Sequence, residues 1–395
     1  MEKSQMKKTL AAVAVLGAFA GSALAADVTV YGVVDLGLQY VHADSDKPNT
    51  DATDKFTMAS GMQSGSRFGL KGTEEIGDGL VVGFVLENGF DADTGSLGNN
   101  SRLFGREANL FVRSDFGELS FGRVGQLTSG NGSYGITGNL SPFGTSWGGV
   151  QAVEGSTFMV GYSRTDNTIT YKTPSFAGAT VYAQYSTDMN TKVEGTTENK
   201  GNSNRYGALG VTYANAGLNL VGVVDWYNWD SSAATGEPDI DDGFTVTLGG
   251  SYNFEVVKAY FGAQYFDNML AQTATYDAAD EVKTGTKDGY GFVSAAGLDL
   301  AKGYSVMAGV DAPVFGGKAM FAVGYAHAEE ADDLAANKDA EFTRWGVSAG
   351  YDYALSKRTD VYGVVAYTQD KREKYADADR DPSNIGVSVG LRHKF

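Results

Sequence analysis

Basic side chains alternate with apolar side chains in two short segments of the chain. Arg67 and Lys71 occupy odd-numbered positions, whereas the apolar Phe68 between them occupies an even one. Arg164 likewise has the parity opposite to that of the apolar Ile169. Because successive side chains of a strand point to opposite faces, these cations would lie on a face separate from the apolar residues. Fixed guanidinium and ammonium groups on a wetted face attract anions, and they do so without any catalytic partner.

Residues for other kinds of chemistry are sparse. The chain has no Cys, and its three histidines, His42, His327 and His393, lack metal-ligand spacing. No twelve-residue calcium loop and no nucleophile motif is recognisable. We therefore expect no metal site, no cofactor and no enzymatic activity.

The cations belong to a longer series of segments that alternate with period two. The clearest segment, Ile385 to Phe395, has Ile, Val, Val, Leu, His and Phe at odd positions and Gly, Ser, Gly, Arg and Lys between them. The segments 244–254 and 344–353 alternate in the same way, whereas Val221 and Val223 interrupt the polar side of 218–226. A chain of such strands behind an export signal predicts a closed transmembrane barrel, with lipid outside and water inside.

The N-terminus predicts export. Lys3, Lys7 and Lys8 precede an apolar stretch at 10–20 that is too short to span a bilayer, and Ala-Leu-Ala at 23–25 is a small-x-small cleavage site. We predict a cleaved signal peptide at 1–25 and a single β-barrel domain at 26–395. Removal of the signal peptide takes the net charge of the chain from −17 to −19, because the peptide carries three lysines and one acid. Such an acidic chain argues against nucleic acid as a partner.

Connections between the segments alternate in length. The short ones are predicted near 74–79, 114–117, 173–178, 214–217, 255–256, 312–316 and 355–358. The long polar ones are predicted near 42–64, 91–102, 125–163, 187–204, 228–242, 267–287, 329–342 and 370–382. Outer-membrane barrels have this asymmetry, with brief periplasmic turns and long outward loops.

The strand count requires one decision. Both 288–300 and 303–311 alternate like strands, which gives seventeen runs, yet a closed antiparallel barrel with both ends on one side needs an even number. We assign 288–300 to the sixth outward loop. The sequence then predicts sixteen strands, with eighteen as the alternative.

Several motifs occur in the order typical of one family. They are Val30-Tyr31-Gly32 with Asp35, the run Ser66 to Gly72, the run Gly117 to Arg123, the run Ser356 to Thr359, and the closing Gly390 to Phe395. Over residues 27–395 the chain resembles the general trimeric porins of Gram-negative outer membranes. The resemblance implies a homotrimer of sixteen-stranded, all-β barrels surrounded by lipid and lipopolysaccharide, with the third loop folded into each lumen. It also implies that Phe395 is the signal read by the barrel-assembly machinery.

The resemblance also assigns roles at the narrowest part of the pore. The run Phe104 to Ala108 resembles the strand that supplies a constriction arginine, which adds Arg106 to Arg67, Lys71 and Arg164, although parity alone leaves the direction of Arg106 open. Arg123, at a predicted strand end, is ambiguous. The alternative for each arginine is an ion pair within the barrel wall.

The segment 125–163 is the longest connection, and its length and aromatics favour a packed functional loop over an ordinary exterior loop. We expect Pro142, Phe143 and Gly144 to lie in the constriction loop. Glu154 is the only carboxylate between Val124 and Tyr162. The loop therefore lacks the acid that the cation-preferring relatives carry near its Pro-Phe-Gly stretch.

Arginines that face a nearly uncharged loop predict a weak preference for anions. The acidic residues cluster in outward loops, and charges are screened over about 8 Å at physiological ionic strength, so the local arginines should dominate.

The leading hypothesis is a water-filled channel for small hydrophilic solutes and ions. A sugar- or phosphate-selective channel on the same barrel is the runner-up; Tyr182, Tyr227 and Tyr260 are too scattered for a sugar slide. A barrel enzyme would need a His beside a Ser or Asp near the rim, and an adhesin or tether would need an added domain.

Overall fold

The computed structural model describes residues 28–144, 158–189, 204–229, 241–270, 289–290, 298, 300–331, 338–375 and 379–395. The strands in chain order are β1 (Thr29–Asp44), β2 (Thr53–Ser60), β3 (Arg67–Gly77), β4 (Leu80–Asp91), β5 (Ser96–Leu97), β6 (Glu107–Ser114), β7 (Gly117–Gly125), β8 (Gly161–Tyr162), β9 (Arg164–Lys172), β10 (Ala179–Ser186), β11 (Arg205–Asn215), β12 (Leu218–Asn228), β13 (Gly243–Asn253), β14 (Lys258–Leu270), β15 (Gly289–Tyr290), β16 (Leu300–Val314), β17 (Gly317–Glu330), β18 (Glu341–Ala354), β19 (Thr359–Glu373) and β20 (Ser383–Lys394). A one-turn helical segment, α1 (Gly98–Ser101), and a 3₁₀ turn (Thr137–Asn139) lie between strands. Among these residues no helix is long and apolar enough to cross a membrane.

The strands form one antiparallel sheet that closes on itself. Strand β1 pairs with β20 from Val33 to Asp44, which joins the first strand to the last. Strands β2 and β3 pair with different halves of β1, so they are two parts of one barrel strand, interrupted at 61–66. Counted this way, the described residues form a barrel of sixteen strands, which confirms the prediction. The pair β8–β15 lies outside the main sheet, so 289–290 belongs to a loop and the eighteen-strand alternative is wrong.

The two faces of the sheet follow the sequence alternation. On β13, Phe244 and Leu248 are exposed on the outer surface, whereas Thr245 and Thr247 point inward and are fully buried. The inward Val221 and Val223 of β12 are also buried, and they pack in an apolar cluster with Leu127 and other loop residues. These valines therefore face the interior at a place where protein, rather than water, covers the wall.

The connections alternate in length as predicted, except that the predicted first long loop, 42–64, contains the strand β2. At one end of the barrel the turns are short, with two residues between β3 and β4, β6 and β7, β11 and β12, and β16 and β17. Asp78 and Gly79 both have positive φ, 54° and 73°, as a type I′ hairpin turn requires. The opposite end carries the longer loops, including the connection between β7 and β9 that enters the barrel.

Candidate pore constriction

The described parts of the third long loop, residues 126–144 and 158–160, pack inside the barrel against glycines of the wall. The glycines that face it are Gly210, Gly249, Gly309, Gly324 and Gly350. A Cβ at Gly249 would lie 2.9 Å from Leu140, and one at Gly324 would lie 2.9 Å from the ring of Phe158. Any larger residue at these positions would displace the loop. Part of the high glycine content therefore makes room for loop side chains rather than for turns.

Two wall glutamines fix the ends of the loop. Gln184 on β10 accepts a hydrogen bond from the backbone N–H of Leu127 at 3.0 Å and donates to the carbonyl of Gly125 at 3.0 Å. Gln264 on β14 binds both backbone groups of a single loop residue: it accepts a hydrogen bond from Val160 N at 2.8 Å and donates one to Val160 O at 3.1 Å. Each amide satisfies backbone groups that the loop removes from water.

Carboxylates of the wall hold the first part of the loop. The buried Asp225 on β12 accepts hydrogen bonds from Thr128 of the loop, and from Tyr206 at 2.6 Å. Nearer β7, Tyr134 of the loop donates to Glu118 at 2.9 Å. Burial, followed by the nearby carboxylate, raises the pKa of Tyr134 above its ordinary value, so this hydroxyl keeps its proton. The loop is therefore fixed at both ends and also at Thr128 and Tyr134 in its first part.

Arg67 and Arg106 converge on one carboxylate. Glu87 on β4 lies 2.7 Å from Nε of Arg106 and 3.6 Å from Nε of Arg67, and it accepts a hydrogen bond from Tyr31 at 3.0 Å. Both guanidinium groups point inward, and their side chains are 15% and 22% exposed. Arg106 precedes β6, which begins at Glu107. Strand parity therefore does not extend to Arg106, which explains why alternation left its direction open.

A second group of arginines continues along the wall. Arg102 and Arg123 both pair with Asp166 on β9, with shortest distances of 2.8 and 2.6 Å. Arg164 donates from Nε to the carbonyl of Arg106 at 2.7 Å and from Nη2 to Asn131 of the loop at 3.2 Å. Arg164 thus links the arginine-rich wall to the constriction loop.

The other predicted residues of the constriction are one wall lysine and four residues of the loop. Lys71 lies on the inner face of β3, 5.3 Å from the ring centroid of Tyr31, nearer the end with short turns than Arg67. Pro142 lies inside the barrel, and a Cβ at Gly309 would be 2.7 Å from it. Phe143 is buried in the apolar cluster, and Gly144 follows it with a φ of 103°. Glu154 lies outside the described residues.

The acidic partners of the arginines were not predicted as site residues. Glu87 and Glu107 are carboxylates at inward positions of their strands, and this signal is present in the sequence. The sequence does not show which arginines these carboxylates pair with, because Glu87 meets Arg106 only through the register of β4 with β6. The ion pairs of Arg67, Arg106 and Arg123 also show that the alternative of neutralisation within the wall is partly correct.

The inward tyrosines do not form a continuous row. Tyr227 is fully buried and donates to Gln126 of the loop at 3.1 Å. Tyr182 lies beneath Lys172, and Tyr260 donates to Asp311 at 2.5 Å. A sugar slide needs exposed aromatic faces side by side, which these three residues do not supply. Among the described residues, no group of three or more His, Cys, Asp or Glu could hold a metal ion.

Comparisons with known proteins agree with this geometry. The family model described as Gram-negative porin matches residues 11–373. An outer membrane porin protein of Bordetella pertussis is 35% identical, over 99% of this chain and 100% of its own. Outer membrane porin protein 32 of Delftia acidovorans is 30% identical, over 99% and 100%. The solved structure of an anion-selective porin from Comamonas acidovorans has a TM-score of 0.67 and 25% identity, and covers 94% of this chain and 100% of its own.

Proposed function

The chain belongs to the Gram-negative porin family, and on that premise we propose that it forms a homotrimeric channel whose narrowest part weakly prefers anions. As a porin it lies in the outer membrane and lets small hydrophilic solutes diffuse passively through its lumen. The proposal concerns the constriction and its charge. The residues that would form it are Arg67, Arg106 and Arg164 on the wall, with Pro142, Phe143 and Gly144 on the loop.

The charge balance of this region carries the proposal. Five arginines, at positions 67, 102, 106, 123 and 164, lie near three carboxylates, at 87, 107 and 166, so these eight groups together carry a surplus of two positive charges. The described loop segments, 126–144 and 158–160, contain no charged residue. An ion in the constriction would therefore meet a positive wall and a neutral loop. The resemblance to an anion-selective porin supports the same sign.

Reversal potentials in a salt gradient test the proposal. We expect wild-type trimers in planar bilayers to pass chloride more readily than potassium, by a small factor. The double variant Arg67→Ala with Arg164→Ala should lose this preference. Clear cation selectivity in the wild type, unchanged in the double variant, would contradict the proposal.

The same proposal includes export and assembly. Residues 1–25 would be removed as a signal peptide, and Phe395 would be read by the assembly machinery before the barrel enters lipid and lipopolysaccharide. Phe395 pairs through its backbone with Gly32, N to O at 3.1 Å in both directions, at the seam between the first and last strands. Heat-modifiable migration on gels, with single-channel steps in groups of three, tests the trimer.

A further inference from the structure

The interruption of the second barrel strand, residues 61–66, turns into the lumen. Gln63 donates to Asp352 on β18 at 3.4 Å, and Ser64 accepts from Arg392 on β20 at 3.2 Å. Strand β18 is separated from this segment by β19, β20 and β1 in the closed sheet. Side chains can bridge that separation only by crossing the interior. The segment therefore lies over the inner face of the wall.

One buried carboxylate fixes the segment. Asp35 on β1 is fully buried, and its Oδ2 accepts the backbone N–H groups of Gln63 at 3.1 Å and Ser64 at 2.7 Å. Its Oδ1 accepts the hydroxyl of Tyr362 on β19 at 2.5 Å. Its backbone carbonyl accepts Gly61 N at 2.8 Å. Asp35 thus replaces the sheet hydrogen bonds that the interrupted strand does not make.

The segment lies against the constriction arginines. The carbonyl of Gly65 accepts a hydrogen bond from Nη1 of Arg67 at 2.9 Å. A Cβ at Gly65 would lie 2.8 Å from Nη1 of Arg106, so the guanidinium rests directly on the backbone. Movement of the segment would therefore change the positions of both arginines.

We propose that residues 61–66 are a second constriction element, and that Asp35 is its positioning residue. The segment approaches the lumen from β1, β3 and β20, whereas the described parts of the third long loop, 126–144 and 158–160, contact β7, β9, β10 and the wall from β11 to β18. The pore is then narrowed from two sides by backbone that the barrel holds in place. This inference rests on the proposed function, because it explains how the arginines of that constriction are held.

The first test replaces the carboxylate. Asp35→Ala should release the segment, so that single-channel conductance rises by at least one third. Loss of the carboxylate alone would raise the chloride-to-potassium permeability ratio, but displacement of Arg67 and Arg106 should outweigh this and lower the ratio at least twofold. Tyr362→Phe, which removes one of the three donors, should change both quantities in the same direction by less. Asp311→Ala is the matched control, because Asp311 also accepts a tyrosine hydroxyl, at 2.5 Å, but contacts no residue of the segment. This control should change neither the conductance nor the permeability ratio by more than a few tenths of its wild-type value.

A second measurement tests the inference even if the Asp35→Ala variant does not fold. Because the chain has no Cys, Gln63→Cys provides a single thiol. An anionic thiol reagent added to the open trimer should react with it and reduce the chloride current by at least half, because the added bulk and negative charge would lie beside the ion path. Full labelling of this thiol with unchanged conductance would overturn the inference.

The two proposals fail differently. A cation-selective wild type refutes the proposed function. An anion-selective wild type in which Asp35→Ala assembles, and keeps wild-type conductance and permeability ratio, refutes the role of Asp35 alone.

Discussion

Glu87 offers the sharpest test of the charge argument, because it is the carboxylate shared by two arginines of the proposed constriction. Its oxygens lie 2.7 Å from Arg106 and 3.6 Å from Arg67. Glu87→Gln keeps the size of the side chain and an acceptor for the hydroxyl of Tyr31, but it removes one negative charge. Two guanidinium groups would then face the lumen without this counter-charge. The anion preference should increase.

The expected magnitude follows from Coulomb's law. Two unit charges 4 Å apart interact by about 1 kcal/mol in water, so a charge roughly 8 Å from the ion path contributes about 0.5 kcal/mol. Removing it stabilises an anion and destabilises a cation by that amount, which changes their ratio by about 1 kcal/mol, or roughly fivefold. Screening over a Debye length of about 10 Å at 0.1 M salt reduces this to about twofold. We therefore expect a rise of roughly two- to fivefold in the chloride-to-potassium permeability ratio.

The assay is the reversal potential of purified trimers across a tenfold potassium chloride gradient, repeated at low and high salt. The rise should be larger at low salt, because less of the charge is screened. Asp311→Asn is the control, since it removes a lumen carboxylate that also accepts a tyrosine hydroxyl but belongs to neither arginine group. A permeability ratio for Glu87→Gln that equals the wild-type value at both salt concentrations would refute the reasoning.

Three further predictions concern the loop and assembly. Gln264→Leu removes both hydrogen bonds to Val160, so single-channel recordings should show increased open-channel noise; a wild-type noise spectrum would contradict the role of this anchor. Gly324→Val places methyl groups where Phe158 packs, so the loop should shift and conductance should change by more than a quarter, whereas unchanged conductance would mean that the wall tolerates the added volume. Phe395→Ala should lower the amount of trimer in the outer membrane several-fold while refolding in detergent is retained, and equal amounts in membranes would refute its role as an assembly signal.

Strand parity was sufficient for some of the site. It predicted the inward direction of Arg67, where side chains of β3 alternate between lipid and lumen. It also predicted the inward direction of Arg164, although an irregularity of β9 between Thr165 and Thr168 separates Arg164 from the alternating residues. It could not settle Arg106, which lies one residue before β6, where alternation does not apply. Residues 61–64 of the interruption were included in a predicted outward loop, 42–64. The structure instead shows a hairpin turn at 45–52 and a separate inward segment, held by a carboxylate far from it in sequence.

The sequence by itself determined the closed barrel, most of its short and long connections, and the face of most side chains, because period-two alternation is a local property of each strand. The choice between sixteen and eighteen strands needed the structure. Only the tertiary structure decided which charges neutralise one another and what covers the inner wall. Glu87 joins Arg67 and Arg106, and Gly324 receives Phe158, through the register of distant strands and the path of one loop. Those arrangements depend on contacts between residues far apart in the chain, which no local pattern encodes.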